Sequence, residues 1–105
     1  MLEKDYQGKL IKKLKRMFPG CEIEVRDPRR TQGMPDLTIF YNDRWAMLEV
    51  KTSATAPNQP NQPYYVERFN QMSFAAFIYP ENEEQVLDEL QRSLGSTRQA
   101  RVSPS

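Results

Sequence analysis

Apolar residues recur at helical spacing near the start of the chain: Leu2, Tyr6, Leu10, Leu14 and then Met17 or Phe18, with lysines opposite. This stripe predicts an amphipathic helix over residues 3–18, ended by Pro19-Gly20. Glu22 to Arg26 alternates and predicts a strand with one side in solvent. Leu37–Tyr41 and Arg44–Leu48 are rich in β-branched and aromatic residues and flank the polar pair Asn42-Asp43, which predicts strand, tight turn, strand. Thr52 to Gln62 is a Ser/Thr/Ala/Pro/Asn/Gln-rich loop, long for a compact domain and therefore suspect as functional. Pro63 suits a first helical turn, and a helix over 64–72 follows with Tyr65, Phe69 and Met72 at core spacing. Phe74 to Tyr79 is continuously apolar, as expected of a central strand covered on both sides. Pro80 stops it, Asn82 and Gln85 predict a capping box, and Val86, Leu87, Leu90 and Leu94 form the apolar face of a last helix. The expected organisation is one α/β domain over 1–94 and a disordered polar tail over 95–105.

The hairpin carries candidate chemistry. With a two-residue loop at Asn42-Asp43, Tyr41 pairs with Arg44, Phe40 with Trp45 and Thr38 with Met47, so Asp36 lands opposite Glu49. Directly opposed carboxylates, about 5 Å apart at Cβ, destabilise a sheet. A divalent cation between them turns that cost into binding. Lys51 shares their face by the two-residue period. Hard cations such as Mg²⁺, or Mn²⁺ in its place, take one or two carboxylates plus phosphate oxygens, and a lysine alongside can orient water or stabilise developing charge. The competing description is a turn aspartate and an ordinary strand with solvent-facing Glu49 and Lys51. Against it, residues 45–50 are otherwise apolar on both faces, so Glu49 is expected at a buried strand end, where an unpaired carboxylate is expensive.

Composition narrows the field mainly by omission. The chain of 105 residues has no histidine and one cysteine, Cys21. Histidine general bases, serine–histidine triads, cysteine zinc sites and intrachain disulfides are excluded, so any acid–base or metal chemistry runs on carboxylates and lysine. No apolar run is long enough to cross a bilayer, and the charged start is no signal peptide, so no membrane association and a cytoplasmic location are expected.

Net charge is +1, but residues 1–52 carry eleven Lys and Arg against eight Asp and Glu, and residues 53–105 carry four against six. The positive half, at +3, includes Lys12, Lys13, Arg29 and Arg30, which are candidates for contact with a phosphate backbone. For the helical lysines a solvated face is the ordinary alternative. Arg29-Arg30-Thr31-Gln32-Gly33 leads straight into Asp36 and could set guanidinium groups beside a phosphate.

Pro35-Asp36 with Glu49-Val50-Lys51 resembles the PD-(D/E)XK nuclease superfamily. Gly33-Met34-Pro35-Asp36-Leu37, Gln62 and Ile78-Tyr79-Pro80-Glu81-Asn82 are most similar to its small VRR-NUC branch, some members of which stand alone as short phage and bacterial proteins. The resemblance covers Glu3 to Leu94. It implies a restriction-endonuclease-like αβββαβ core, a mixed sheet flanked by helices, followed here by a C-terminal helix. It further implies an early helical glutamate completing the metal site, Glu3 by position with Asp5 as rival. A glutamine ahead of the second long helix would lie near the active site; Gln62 matches best and Gln59 is the alternative.

The expectation is a Mg²⁺-dependent DNA endonuclease in a bacterial or phage-infected cell, with no small-molecule cofactor. Asp36 and Glu49 hold the metal with the Val50 carbonyl as a further ligand, Lys51 acts on water or phosphate, and Glu3 and Gln62 support them. The branch includes enzymes that cut branched DNA, which makes four-way junctions the first candidate substrate and implies a homodimer; Trp45 is a candidate seam residue. Tyr64 and Tyr65 are candidates for base stacking. Alternatives are cleavage of flaps, nicks or duplex ends, an idle nucleic-acid-binding module, or a protein that sequesters a partner through its acidic second half.

Overall fold

The computed structural model describes residues 2–29 and 31–96. Its elements run α1 (Glu3–Met17), β1 (Glu22–Val25), β2 (Leu37–Tyr41), β3 (Arg44–Val50), α2 (Gln62–Met72), β4 (Phe74–Ile78) and α3 (Glu83–Gln91), ending in a π-helical turn over Arg92–Ser96. The four strands form one mixed sheet in the order β1-β2-β3-β4, antiparallel except for the parallel β3–β4 pair.

Asn42 takes a positive φ of 59° at the hairpin tip, the left-handed conformation that asparagine tolerates and a two-residue loop requires. Tyr41 therefore pairs with Arg44, Phe40 with Trp45 and Thr38 with Met47, as the loop length predicts.

Period two then divides the sheet. Leu37, Ile39, Ala46, Leu48, Val50 and Ile78 line one face, where they meet Tyr6, Leu10, Leu14 and Phe18 of and after α1 and Val86, Leu87, Leu90 and Leu94 from α3 and its π-helical turn. Most of this cluster is fully excluded from water, so cutting a member such as Leu48 to alanine is expected to cost about 2–5 kcal/mol. On the opposite face α2 covers β3 and β4, with Phe69 edge-on to Trp45, and leaves β1 and β2 open. α1 complements its own dipole, with Glu3 and Asp5 in the first turn and Lys15 and Arg16 in the last.

Three local expectations need correction. The apolar run at 74–79 forms an edge strand and not a central one, because β4 pairs only with β3. α2 begins at Gln62, two residues early, because Asn61 turns the chain through a left-handed conformation (φ 71°). Its buried residues are accordingly Gln62 and Val66, while Met72 is 59% exposed. No capping box forms at α3: Asn82 makes no side-chain cap, and Gln85 bonds forward to Glu89. The Asn82 amide is engaged elsewhere, accepting from Tyr79 N at 2.9 Å and donating to Phe77 O at 3.1 Å. Of the expected tail, Gly95 and Ser96 belong to the π-helical turn, and residues 97–105 lie outside the described residues.

Among the described residues, no helix is long and apolar enough to cross a membrane.

Candidate active site

The site sits at the end of the sheet where β2 begins and β3 stops. Asp36 is the last residue before β2, and its Oδ2 accepts from Val50 N at 2.8 Å. Its own carbonyl accepts from Arg26 N at 2.8 Å, which ties it to the end of β1. Arg26 Nη2 stands 3.9 Å from Asp36 Oδ1, a loose ion pair.

Glu49 is only 2% exposed. Its Oε2 accepts from Gln62 Nε2 at 2.6 Å, whereas Oε1 is enclosed and finds no partner among the described residues. Burial pushes its pKa up from 4.5 to about 8, reinforced by the Asp36 charge, by a hydrogen bond of the protonated carboxyl with Asp36 and, more weakly, by Glu3, against the opposing pull of Lys51.

Lys51 directly follows β3 and is 6% exposed. Its Nζ donates to Gln62 Oε1 at 2.7 Å and to Pro57 O at 2.8 Å, and lies 5.8 Å from the Phe77 ring centroid. Two of three ammonium hydrogens are thus engaged. Gln62, the first residue of α2, also accepts from Gln59 N at 2.7 Å, so its oxygen faces two donors and its NH₂ faces Glu49. These partners settle which way the amide points. Gln59 itself contributes only through its backbone and is exposed.

Glu3 approaches from the exposed first turn of α1. Its pKa is raised, chiefly by partial burial and then by Asp36, with Lys51 and Arg26 pulling the other way. It therefore shares the field of the site. Asp5, in the same turn, is also exposed.

The remaining predicted contacts are spread more widely. Arg29 is exposed and clamped to Asp27 through both guanidinium and backbone, with Nη2–Oδ2 at 2.9 Å and not directed at Asp36. Arg30 lies outside the described residues. Lys12 is exposed, while Lys13 pairs with Glu83 at the start of α3.

Two features were not foreseen. One is Arg26 as a neighbour of Asp36, which follows from carrying the Val25–Leu37 pairing one step further. The other is the contact between the two loops that lead into the site. Gly33, at φ +93°, lies so close to Pro60 and Asn61 that an added Cβ would come within 2.6 Å of Asn61 Cβ.

Among the described residues no three His, Cys, Asp or Glu side chains converge as a complete metal-binding group. Two carboxylates with water or phosphate oxygens making up the remainder are a common arrangement for Mg²⁺. The unpartnered Glu49 Oε1 and the loosely held Asp36 Oδ1 fit such a hard cation. Compared with protein-family models, curated proteins and solved structures, the chain gives no match.

Proposed function

We propose that this chain is a metal-dependent DNA endonuclease of the PD-(D/E)XK type, acting on branched DNA as a homodimer. The observation that carries the proposal is the buried bridge Lys51–Gln62–Glu49 beside Asp36: an ammonium and a carboxylate are kept close yet separated by one amide. Buried charges are expensive, and a fold with a purely structural need would replace them with apolar side chains at little loss.

Asp36 and Glu49 would hold Mg²⁺ or Mn²⁺, with the Val50 carbonyl adjoining and Glu3 acting from the helix end. Bound there, a divalent cation would polarise the phosphoryl group and lower the pKa of a coordinated water. The chain's own residues do the rest. Gln62 and the Pro57 carbonyl hold the Lys51 ammonium in one place, leaving one hydrogen to donate to the attacking water or a phosphate oxygen. Val50 N fixes the Asp36 carboxylate, and the Gln62 amide fixes Glu49.

The test is cleavage of a labelled four-way junction, a flap and a linear duplex in Mg²⁺, Mn²⁺ and EDTA, with Lys51→Ala and Asp36→Ala in parallel. Symmetric, metal-dependent cuts in the junction that vanish in both variants support the proposal. Cutting of flaps or ends instead retains the chemistry and replaces the substrate. Failure to cut any of the three in either metal overturns the enzyme and leaves a binding fold.

A further inference from the structure

Next to the carboxylates, on the face that α2 leaves open, the sheet carries a second feature. Thr38 and Met47 are paired one pleat along from Asp36 and Glu49, about 7 Å away on the same face. Glu24 pairs with Thr38 and extends that row to the edge strand. Met34 and Pro35, just ahead of β2, line the same cleft as Thr38 and Met47. The cleft has a volume of about 570 Å³, within the roughly 300–1,000 Å³ typical of small-molecule sites.

Its chemistry selects against a phosphate. Among the described lining residues Arg26 is the single cation, set against Glu24 and Asp27. Met34, Met47 and Pro35 offer flat apolar contact to a ring, and thioethers adapt well to aromatic faces. The polar groups suit the edge of a heterocycle. The Thr38 hydroxyl can donate or accept, and the Glu24 carboxylate can accept from an exocyclic amine. Arg26 also reaches Asp36, so the cleft and the carboxylate pair share a residue.

We propose that this cleft receives one unpaired nucleobase beside the phosphate held at Asp36 and Glu49, so that preferred substrates carry an unpaired nucleotide at the cut. The proposal rests on the nuclease assignment, and its test separates the two. Binding of the intact protein is measured by fluorescence anisotropy, at low ionic strength in EDTA and again in Ca²⁺. Three duplexes are compared: fully paired, with a one-nucleotide bulge, and with the same bulge made abasic. The bulge bearing a base is expected to bind about tenfold more tightly than its abasic twin, the gain typical of one base contact. Thr38→Phe, which fills the cleft, is expected to erase that difference while still binding the paired duplex. Equal affinity for the two bulges overturns the cleft proposal and leaves the nuclease assignment standing. Binding to none of the three in either buffer overturns both. Should Thr38→Phe fail to fold, the abasic comparison on the intact protein still decides.

Discussion

Gln62 joins Lys51 to Glu49 through one side-chain amide, accepting from the ammonium at 2.7 Å and donating to the carboxylate at 2.6 Å. All three side chains are buried, and Lys51 has the Pro57 carbonyl as its second partner. Gln62→Ala is expected to strand the Glu49 carboxyl, to leave Lys51 with the Pro57 carbonyl alone, and to cost about 1–3 kcal/mol of stability, together with most of the cleavage activity. Chemical denaturation alongside cleavage kinetics measures both. An unchanged midpoint would show that the amide is dispensable to the fold.

Glu49 makes metal-free stability depend on pH. A carboxyl whose folded pKa lies above its unfolded value favours the fold in its protonated state. Its contribution is complete below about 4.5 and is lost as pH rises toward and through about 8. Melting in EDTA should therefore fall across that interval, and Glu49→Gln should flatten the fall. Mg²⁺ or Mn²⁺ should stabilise most at the alkaline end, where the carboxylate is free of its proton. A melting temperature that climbs between pH 5 and 8 in EDTA, with Glu49→Gln no different, sinks this account.

Metal binding and catalysis should separate between neighbours. Asp36→Asn is expected to lose both cleavage and metal-induced thermal stabilisation. Lys51→Met, which retains most of the apolar length, is expected to keep the stabilisation and to cut more slowly by a factor on the order of 10²–10³. The decisive comparison is thermal shift with and without Mn²⁺. Loss of the metal response in Lys51→Met would mean that lysine builds the site and does not act within it.

Gly33 is the point where two loops touch. A Cβ there would meet Asn61 Cβ at 2.6 Å and Pro60 O at 2.7 Å, and the φ of +93° disfavours any L side chain. Asp36 follows Gly33 by three residues and Gln62 follows Asn61 by one, so separating the loops displaces both sides of the site. Gly33→Ala is expected to cost about 1–3 kcal/mol and to lower activity more than Gly20→Ala, whose glycine also has positive φ but has nothing within 4 Å of an added Cβ. Equal losses from the two substitutions would assign the effect to backbone strain alone.

The hairpin was legible from the sequence because loop length, turn residues and alternation all specify one register, and a single step of slippage would take the apolar residues of the shifted strand off the core face. The pairing that sets Asp36 near Val50 and Glu49 followed from it. What escaped depended on contacts between distant segments. Continuous apolarity at 74–78 suits any strand buried on both faces, and cannot reveal that β4 has a neighbour on one side only. The start of α2 moved because Asn61 adopted a left-handed turn, which asparagine permits without announcing. Asn82 looked like a cap because its local spacing with Gln85 was suitable, yet β4 made the stronger demand on its amide. Gly33 gave no sign of its partner, since Asn61 lies far along the chain.

That diversion of Asn82 bears on how copies of the chain can meet. An edge strand as apolar as Phe74–Ile78 invites another strand to add to the sheet. Here the invitation is withdrawn by two asparagines: Asn70 Oδ1 takes Ala75 N at 3.1 Å, and Asn82 takes Phe77 O and Tyr79 N. The opposite edge is the four-residue β1, which carries Glu22 and Glu24, charges that discourage strand addition. Both edges of the sheet therefore carry groups that oppose its extension by another strand. A homodimer of this chain would join through its helices or the open sheet face, and loss of either asparagine would favour aggregation over a defined dimer.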